Sequence, residues 1–261
     1  MQLPDTLLSQ VAELAREAGR FLLSCRDGIS IAEKGGAHNL VTQADLDCEN
    51  LLCERLAEIL PHSQFLREEG GATGDHSSLA MWIIDPLDGT NNYVHGIPQF
   101  CVSIGLACAG ELELGVVYDP NRDELFTAQR GCGAFLNGNP IQVSERPNLQ
   151  NSVIATGFYY DRGDLVKRTL AAIGRLFDEP IRGIRRFGSA ALDLCWVACG
   201  RYDGYFEYRL GAWDYAAGAV IVREAGGQCC DREGQPLVVH SGNVIASSPQ
   251  IHVDLVRVVR W

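Results

Sequence analysis

The sequence predicts an α+β fold built from two halves that pack directly on each other. Three observations predict it. Residues 1–145 alternate short apolar strands with turn signals and carry two helical periods. Residues 146–261 alternate strands with helices. No Pro/Ser/Gly-rich linker, internal repeat or low-complexity stretch lies between them. The chain has 261 residues, one large domain or two small ones at ~150 residues each. That length buries a substantial core without disulfide staples.

Leu7, Val11, Leu14, Ala18, Phe21 and Leu22 recur at helical spacing and predict a helix over 6–25. Cys48, Leu52, Leu56 and Ile59 share one face of a second helix over 45–60, which Pro61 stops. Between them, the polar run Glu33 to His38 reads as a hairpin or mobile loop. Met81-Trp82-Ile83-Ile84 is a short apolar strand ending at Asp85-Pro86. Strands over 100–109, 112–118 and 124–129 form a meander, with turns at Ala109-Gly110 and Asp119-Pro120-Asn121. Asn137-Gly138-Asn139-Pro140 is a further turn. After residue 145, strands over 153–155, 183–187 and 205–207 alternate with helices over 161–178, 189–199 and 213–225. Short strands follow, then a last helix capped by Ser248-Pro249. A functional site is expected between the halves.

Asp plus Glu total 33 against 22 Lys plus Arg, a formal charge of −11. The densest basic cluster, Arg182 to Arg186, holds three arginines, too few for a nucleic-acid surface. No apolar run approaches the ~18 residues of a membrane span. Met1 to Asp5 shows neither a basic nor an apolar leader, so a cytoplasmic location is expected. Ten cysteines are present without a C-x-x-C pair. They read as reduced, small, buried hydrophobes, and Cys229-Cys230 as strand neighbours facing opposite ways rather than a redox switch. An acidic protein that handles phosphate must reverse its local field, and metal cations do so.

The most informative segment is Trp82 to Asn92, Trp-Ile-Ile-Asp-Pro-Leu-Asp-Gly-Thr-Asn-Asn. A strand delivers Asp85 and Asp88, Pro86 turns the chain, and both acids can face one point. Gly89 permits close backbone approach, and free N–H groups at Gly89 and Thr90 can hold a phosphate. Two hard carboxylates beside such a cradle suit Mg²⁺ bridging a phosphate. A helix-capping turn is the ordinary reading of D-x-x-D alone. The extra residue between the aspartates departs from the D-x-D-G-T pattern of aspartyl-nucleophile phosphatases and argues against a covalent route. Glu68-Glu69 leads into this strand and can add a third carboxylate. Asp45 is read either as the N-cap of the second helix or as a site acid. Asp214, in Trp213-Asp214-Tyr215-Ala216-Ala217-Gly218, is a capping acid or a further ligand. The small residues after it let that helix pack tightly.

Jointly these motifs resemble the inositol monophosphatase family, in particular its bacterial inositol-1-monophosphatase-like subgroup. The family motif D-P-x-D-G-T-x-N-[FY] stands at Asp85 to Tyr93, and W-D-x-x-A-G at Trp213 to Gly218. The E-E pair is Glu68-Glu69, the T-x-x-D element is Thr42 to Asp45, and Gly188 to Leu194 is also family-like. The resemblance spans about residues 5–259. Small departures are Gly70-Gly71 after Glu69 and Asn91 in place of a frequent Thr. The loop from Gly70 to Ser78 leaves substrate size open.

The resemblance implies a five-layer αβαβα sandwich and a Mg²⁺-dependent, lithium-inhibited phosphatase, usually a homodimer. It implies a first metal held by Glu68, Asp85 and the Leu87 carbonyl, and a second held by Asp85, Asp88 and Asp214. A third, weaker one is implied near Glu68, bordered by the Lys34 loop. Phosphate is implied on the Gly89 and Thr90 amides. Sugar hydroxyls are implied on Asp88, Ser189, Ala190, Glu207 and Asp214. The expected chemistry is direct in-line attack by a metal-activated water that Glu68 and Thr90 orient. Asp45 accepts from the Thr90 hydroxyl, and a water at Asp214 protonates the leaving group. Two like charges ~4 Å apart repel by ~4 kcal/mol at an effective dielectric of 20, so the acids themselves call for cations.

Glu207 lies seven residues before Asp214, the spacing of the family's inositol-binding Glu, and the expected substrate is inositol 1-phosphate. Histidinol phosphate, fructose 1,6-bisphosphate and adenosine 3′,5′-bisphosphate are the alternatives on the same core. Arg185 and Arg186 are candidates for a second phosphate or for structural ion pairs. A regulatory, partner-binding scaffold is the alternative outside enzymology. His95 carries no assigned role.

Overall fold

The computed structural model describes residues 3–26, 31–33, 40–73, 80–159 and 163–260. Helix α1 (Leu7–Ser24) turns Leu7, Val11, Leu14, Ala18 and Leu22 inward, the face the periodicity marks. Strands β1 (Ile31–Glu33) and β2 (Leu40–Thr42) pair antiparallel. Lys34 and the rest of the segment between them lie outside the described residues. Helix α2 (Gln43–Ile59) starts at a Thr42 capping box whose N3 residue is Asp45. Asp45 is therefore not the N-cap, because Thr42 fills that position.

Strands β3 (Gln64–Arg67) and β4 (Gly71–Thr73) form a hairpin, and β5 (Ala80–Asp88) lies parallel to β3. After the short helix α3 (Thr90–Val94) come β6 (Cys101–Cys108), β7 (Glu111–Asp119), β8 (Glu124–Gln129), β9 (Ala134–Leu136) and β10 (Asn139–Pro140). Together they make an eight-stranded sheet in the order β10-β9-β8-β7-β6-β5-β3-β4. β5 is buried on both faces. Trp82 and Ile84 pack with α1 and α2, and Met81 and Ile83 pack on the opposite side.

The later part runs β11 (Val153–Thr156), α4 (Asp164–Asp178), β12 (Gly183–Arg185), α5 (Ala190–Ala198), β13 (Gly204–Glu207) and α6 (Ala212–Glu224). It ends with β14 (Gln228–Cys230), β15 (Val244–Ser247) and α7 (Pro249–Val259). Its five strands take the order β12-β11-β13-β15-β14, with β11 parallel to both of its neighbours. α5 and α6 fill the space between the two sheets, and α4 and α7 cover the outer face of the second. The layers are α1/α2, sheet, α5/α6, sheet and α4/α7, the expected αβαβα sandwich. Among the described residues no helix is long and apolar enough to cross a membrane.

Three local expectations change. β5 does not end at Asp85 but continues to Asp88 through a bulge, where Asp85 pairs Ser103 and Asp88 pairs Cys101. Pro86 lacks an N–H for the ladder, and the bulge accommodates it. Ser248 occupies the N-cap of α7 but makes no side-chain cap; Pro249 alone supplies the start signal. All ten cysteines are free, yet only Cys48, Cys101, Cys195 and Cys230 are buried and Cys132 is exposed. Cys229 packs toward the middle layer and Cys230 toward the outer one, as strand alternation requires.

One contact fixes the depth of the middle layer. A Cβ added at Gly115 on β7 would run into the Ala217 carbonyl of α6. One added at Gly105 on β6 would lie 3.2 Å from the Ala216 Cβ. Helix α6 thus rests backbone to backbone on the sheet.

Candidate active site

The bulge in β5 does the first positioning. Asp85 and Asp88 are both buried, and the Leu87 amide donates to Asp85 Oδ1 at 3.0 Å. Gly89 follows with φ 100°, as the left-handed N-cap of α3. A Cβ there would sit 2.9 Å from the Gln99 carbonyl oxygen, so this turn admits only glycine. Asn92 Nδ2 donates to the carbonyls of Gln99 and Phe187, each at 2.7 Å, and ties the turn to the strand–helix junction before α5.

That junction grips Asp88. The Ser189 hydroxyl and the Ala191 amide each donate to Asp88 Oδ2 at 2.7 Å. Ser189, expected against substrate hydroxyls, also holds this carboxylate. Asp214 stands in the first turn of α6, where the Gly211 amide donates to its Oδ2 at 2.6 Å. The Ser103 hydroxyl, opposite Asp85, donates to the Trp213 carbonyl at 3.3 Å and anchors that turn to β6.

Asp85, Asp88 and Asp214 place one carboxylate oxygen each within 4.8 Å of one another. Burial pushes all three carboxyls above the ordinary range. Glu68, Asp88 and Asp214 raise Asp85 further by charge. Hard oxygen donors packed this closely are a poor arrangement for bare carboxylates and a suitable one for a hard divalent cation. The residues present therefore fit the metal that the sequence motifs imply. Glu68 sits where β3 turns into β4, its amide donating to the Ile84 carbonyl at 3.2 Å and its side chain in hydrogen-bond contact with Asp85.

Behind the acids, Asp45 joins α2 to α3. The Thr90 hydroxyl lies 3.2 Å from Asp45 Oδ1 and 3.1 Å from the Leu87 carbonyl oxygen, both acceptors. The Thr42 amide donates to Asp45 Oδ2 at 2.8 Å. Burial outweighs these donors and raises Asp45 to about 6. One carboxylate thus closes a helix cap and receives a hydroxyl proton in the site.

A pocket of about 350 Å³ opens over these groups. Glu68, Asp85, Leu87, Asp88, Gly89, Thr90, Ser189, Ala190, Glu207 and Asp214 all line it; Asp45 stands behind Thr90. Glu207, at the end of β13, accepts from the Tyr205 hydroxyl at 2.6 Å, and burial raises it to about 7. Arg186 lines the pocket, whereas Arg185 is exposed and donates to the Ile184 carbonyl. Sequence reasoning assigned nothing to Asp193, Arg209 or Tyr159, which also line it. The signal for Asp193 was its place one helical turn after Ala190. Arg209 and Tyr159, stacked 4.3 Å apart (guanidinium carbon to ring centre), carried none.

A family model described as the inositol monophosphatase family matches residues 4–260. The chain belongs to this family. Among its curated relatives, "Nus factor SuhB" of Haemophilus influenzae is 41% identical over 259 residues, 98% of this chain and 96% of that protein. "Inositol-1-monophosphatase" of Synechocystis is 43% identical over 252 residues, 96% of this chain and 88% of that one. Among solved structures, extragenic suppressor protein suhB from Bartonella henselae superimposes with a TM-score of 0.91 at 41% identity, covering 98% of each chain. The inositol monophosphatase fold thus accounts for every layer described above, and the carboxylate cluster lies in it at the meeting of the first sheet with α5 and α6.

Proposed function

We propose that this protein is a Mg²⁺-dependent phosphomonoesterase that hydrolyses inositol 1-phosphate to inositol and phosphate by direct attack of water. The observation that carries the reading is the buried Asp85–Asp88–Asp214 cluster beside the Thr90–Asp45 pair, in a member of the inositol monophosphatase family. Asp85, Asp88 and Asp214, with Glu68 and the Leu87 carbonyl, would hold two to three Mg²⁺ ions. Bound there, Mg²⁺ supplies charge neutralisation for the phosphate and lowers the pKa of the attacking water.

The chain's own groups do the rest. The amides of Gly89 and Thr90 bind the phosphate oxygens. Glu68 and the Thr90 hydroxyl hold the attacking water in line with the leaving oxygen. Asp45 Oδ1 takes the proton that Thr90 passes on, which strengthens Thr90 as an acceptor from that water. Asp214 holds the water that protonates the departing alkoxide. Glu207 and Ala190 bind hydroxyls of the leaving group. This division follows the demand of phosphoryl transfer, mostly positioning and charge.

The test is phosphate release with Mg²⁺ from inositol 1-phosphate, histidinol phosphate, fructose 1,6-bisphosphate and adenosine 3′,5′-bisphosphate, each with and without lithium. Inositol 1-phosphate leading the panel by about tenfold, a 1.4 kcal/mol preference, and blocked by lithium is the expected result. Another ester in the lead replaces the substrate; a dead panel removes the enzymatic reading. The name of the Haemophilus influenzae relative, a Nus factor, supports a second role in binding transcription partners. Asp88→Asn separates the two: it abolishes hydrolysis, while a partner-binding role survives it.

A further inference from the structure

The active pocket contains a carboxylate that the proposed mechanism does not use. Asp193 lines the pocket and is only 1% exposed. Its Oδ1 is buried and has no hydrogen-bond partner among the described residues. An unsatisfied buried acceptor is costly, and a bound ligand can supply the donor it lacks.

Its position says which part of a ligand that is. Ser189 and Ala191, at the start of α5, grip Asp88 at the carboxylate cluster. Asp193 lies one helical turn further along α5, ~5 Å from that end. The charges that act on it are those of Asp88, Glu207 and Arg186. Asp193 therefore stands within reach of the charges of both Asp88 and Glu207, in the pocket that all three line. Glu207 is itself held firmly. Its Oε2 accepts from Tyr205, and a Cβ added at Gly157 would overlap that carboxylate. Arg186 and Arg209 already line the same pocket, so positive charge is present without the ligand. A donor that a ligand brings to Asp193 need not carry charge.

We propose that Asp193 is a second hydroxyl acceptor of the leaving-group subsite, working beside Glu207. The site then selects phosphate monoesters whose leaving group presents two hydroxyls along one edge, a polyol rather than an aryl or ammonium-bearing alcohol. This rests on the phosphomonoesterase reading. It makes Asp193 a specificity residue, with Gly157 as the residue that leaves room for its companion carboxylate.

The experiment compares wild type, Asp193→Ala and Asp193→Asn with Mg²⁺ on three esters. Inositol 1-phosphate presents several hydroxyls, p-nitrophenyl phosphate none, and phosphoethanolamine an ammonium group. Asp193→Ala is expected to lower kcat/KM for inositol 1-phosphate by about 10- to 100-fold, the range for leaving a buried hydroxyl without its acceptor. Its kcat/KM for p-nitrophenyl phosphate should change less than threefold. Asp193→Asn keeps a carbonyl acceptor and recovers part of the loss. If the alanine variant does not fold, as read by circular dichroism, the asparagine variant carries the comparison, with a loss confined to the hydroxylated ester. Equal losses on both esters would make Asp193 structural and overturn the inference. No loss on inositol 1-phosphate, or an Asp193-dependent preference for phosphoethanolamine, overturns it as well. A wild type that is inactive, or that treats the three esters alike, overturns the proposed function itself and the inference with it.

Discussion

At the scale of single residues, the site is economical because its acids hold secondary structure as well. Asp45 closes the α2 capping box and also receives Thr90 from a position 45 residues away. Asp214 accepts the Gly211 amide in the first turn of α6 and faces Asp85 and Asp88. The sequence left cap and site as rival readings of both residues; Asp45 is N3 of the capping box rather than the N-cap, and each acid can serve its helix start and the site together because a carboxylate has two oxygens. Asp45→Asn preserves an acceptor for the Thr42 amide and removes the proton acceptor. It should lower kcat by ~10²- to 10⁴-fold, with folding unchanged by circular dichroism. Thr90→Val should cost a similar factor. The double variant should be no worse than the poorer single one, because the proposed mechanism puts both on one proton route. Multiplying losses in steady-state assays would show that the two residues act separately.

At the scale of elements, the hairpin that presents Glu68 is held from below by a residue the sequence did not single out. Glu49, buried on α2, accepts the Glu69 amide at 2.9 Å and pairs with Arg67 at 3.6 Å. Glu49→Ala leaves that amide without its acceptor and the Arg67 charge without its counter-ion, at ~1–3 kcal/mol. We expect a lower Tm in calorimetry and a higher Mg²⁺ concentration for half-maximal activity; an unchanged Mg²⁺ requirement would confine Glu49 to stability. Strands and helices themselves were legible, since apolar periodicity and turn residues are local signals. The bulge between Asp85 and Asp88 was not, because it depends on how β6 pairs alongside. The hold on Asp88 was hidden for the same reason: its donors come from α5, over 100 residues on, and spacing says nothing about such partners.

At the scale of the whole molecule, the buried acids couple stability to pH and to cations. Asp85, Asp88, Asp193 and Asp214 are raised by burial, Asp45 to about 6 and Glu207 to about 7. The folded chain therefore keeps protons that the unfolded chain, with carboxyls near 3.8 and 4.5, has already released. Stability falls as pH rises wherever the folded state binds more protons. In chelator, Tm should decline as pH rises from about pH 4 through about pH 7. Mg²⁺ should raise Tm more at pH 7.5 than at pH 5. A chelated Tm that climbs across this window would contradict the burial of these acids. The motifs made the family and the acid cluster legible across nearly the whole chain. What they left out was distance, which comes from packing. The contact of Gly105 and Gly115 with α6 sets that distance without any intervening side chain. A joint with no soft layer has no slack to absorb error. The gap between the sheet's aspartates and the helix's aspartate is thus a fixed dimension of the scaffold. Loops around the pocket are free to diverge toward new substrates, while a single methyl group at this remote joint would misalign the chemistry for all of them.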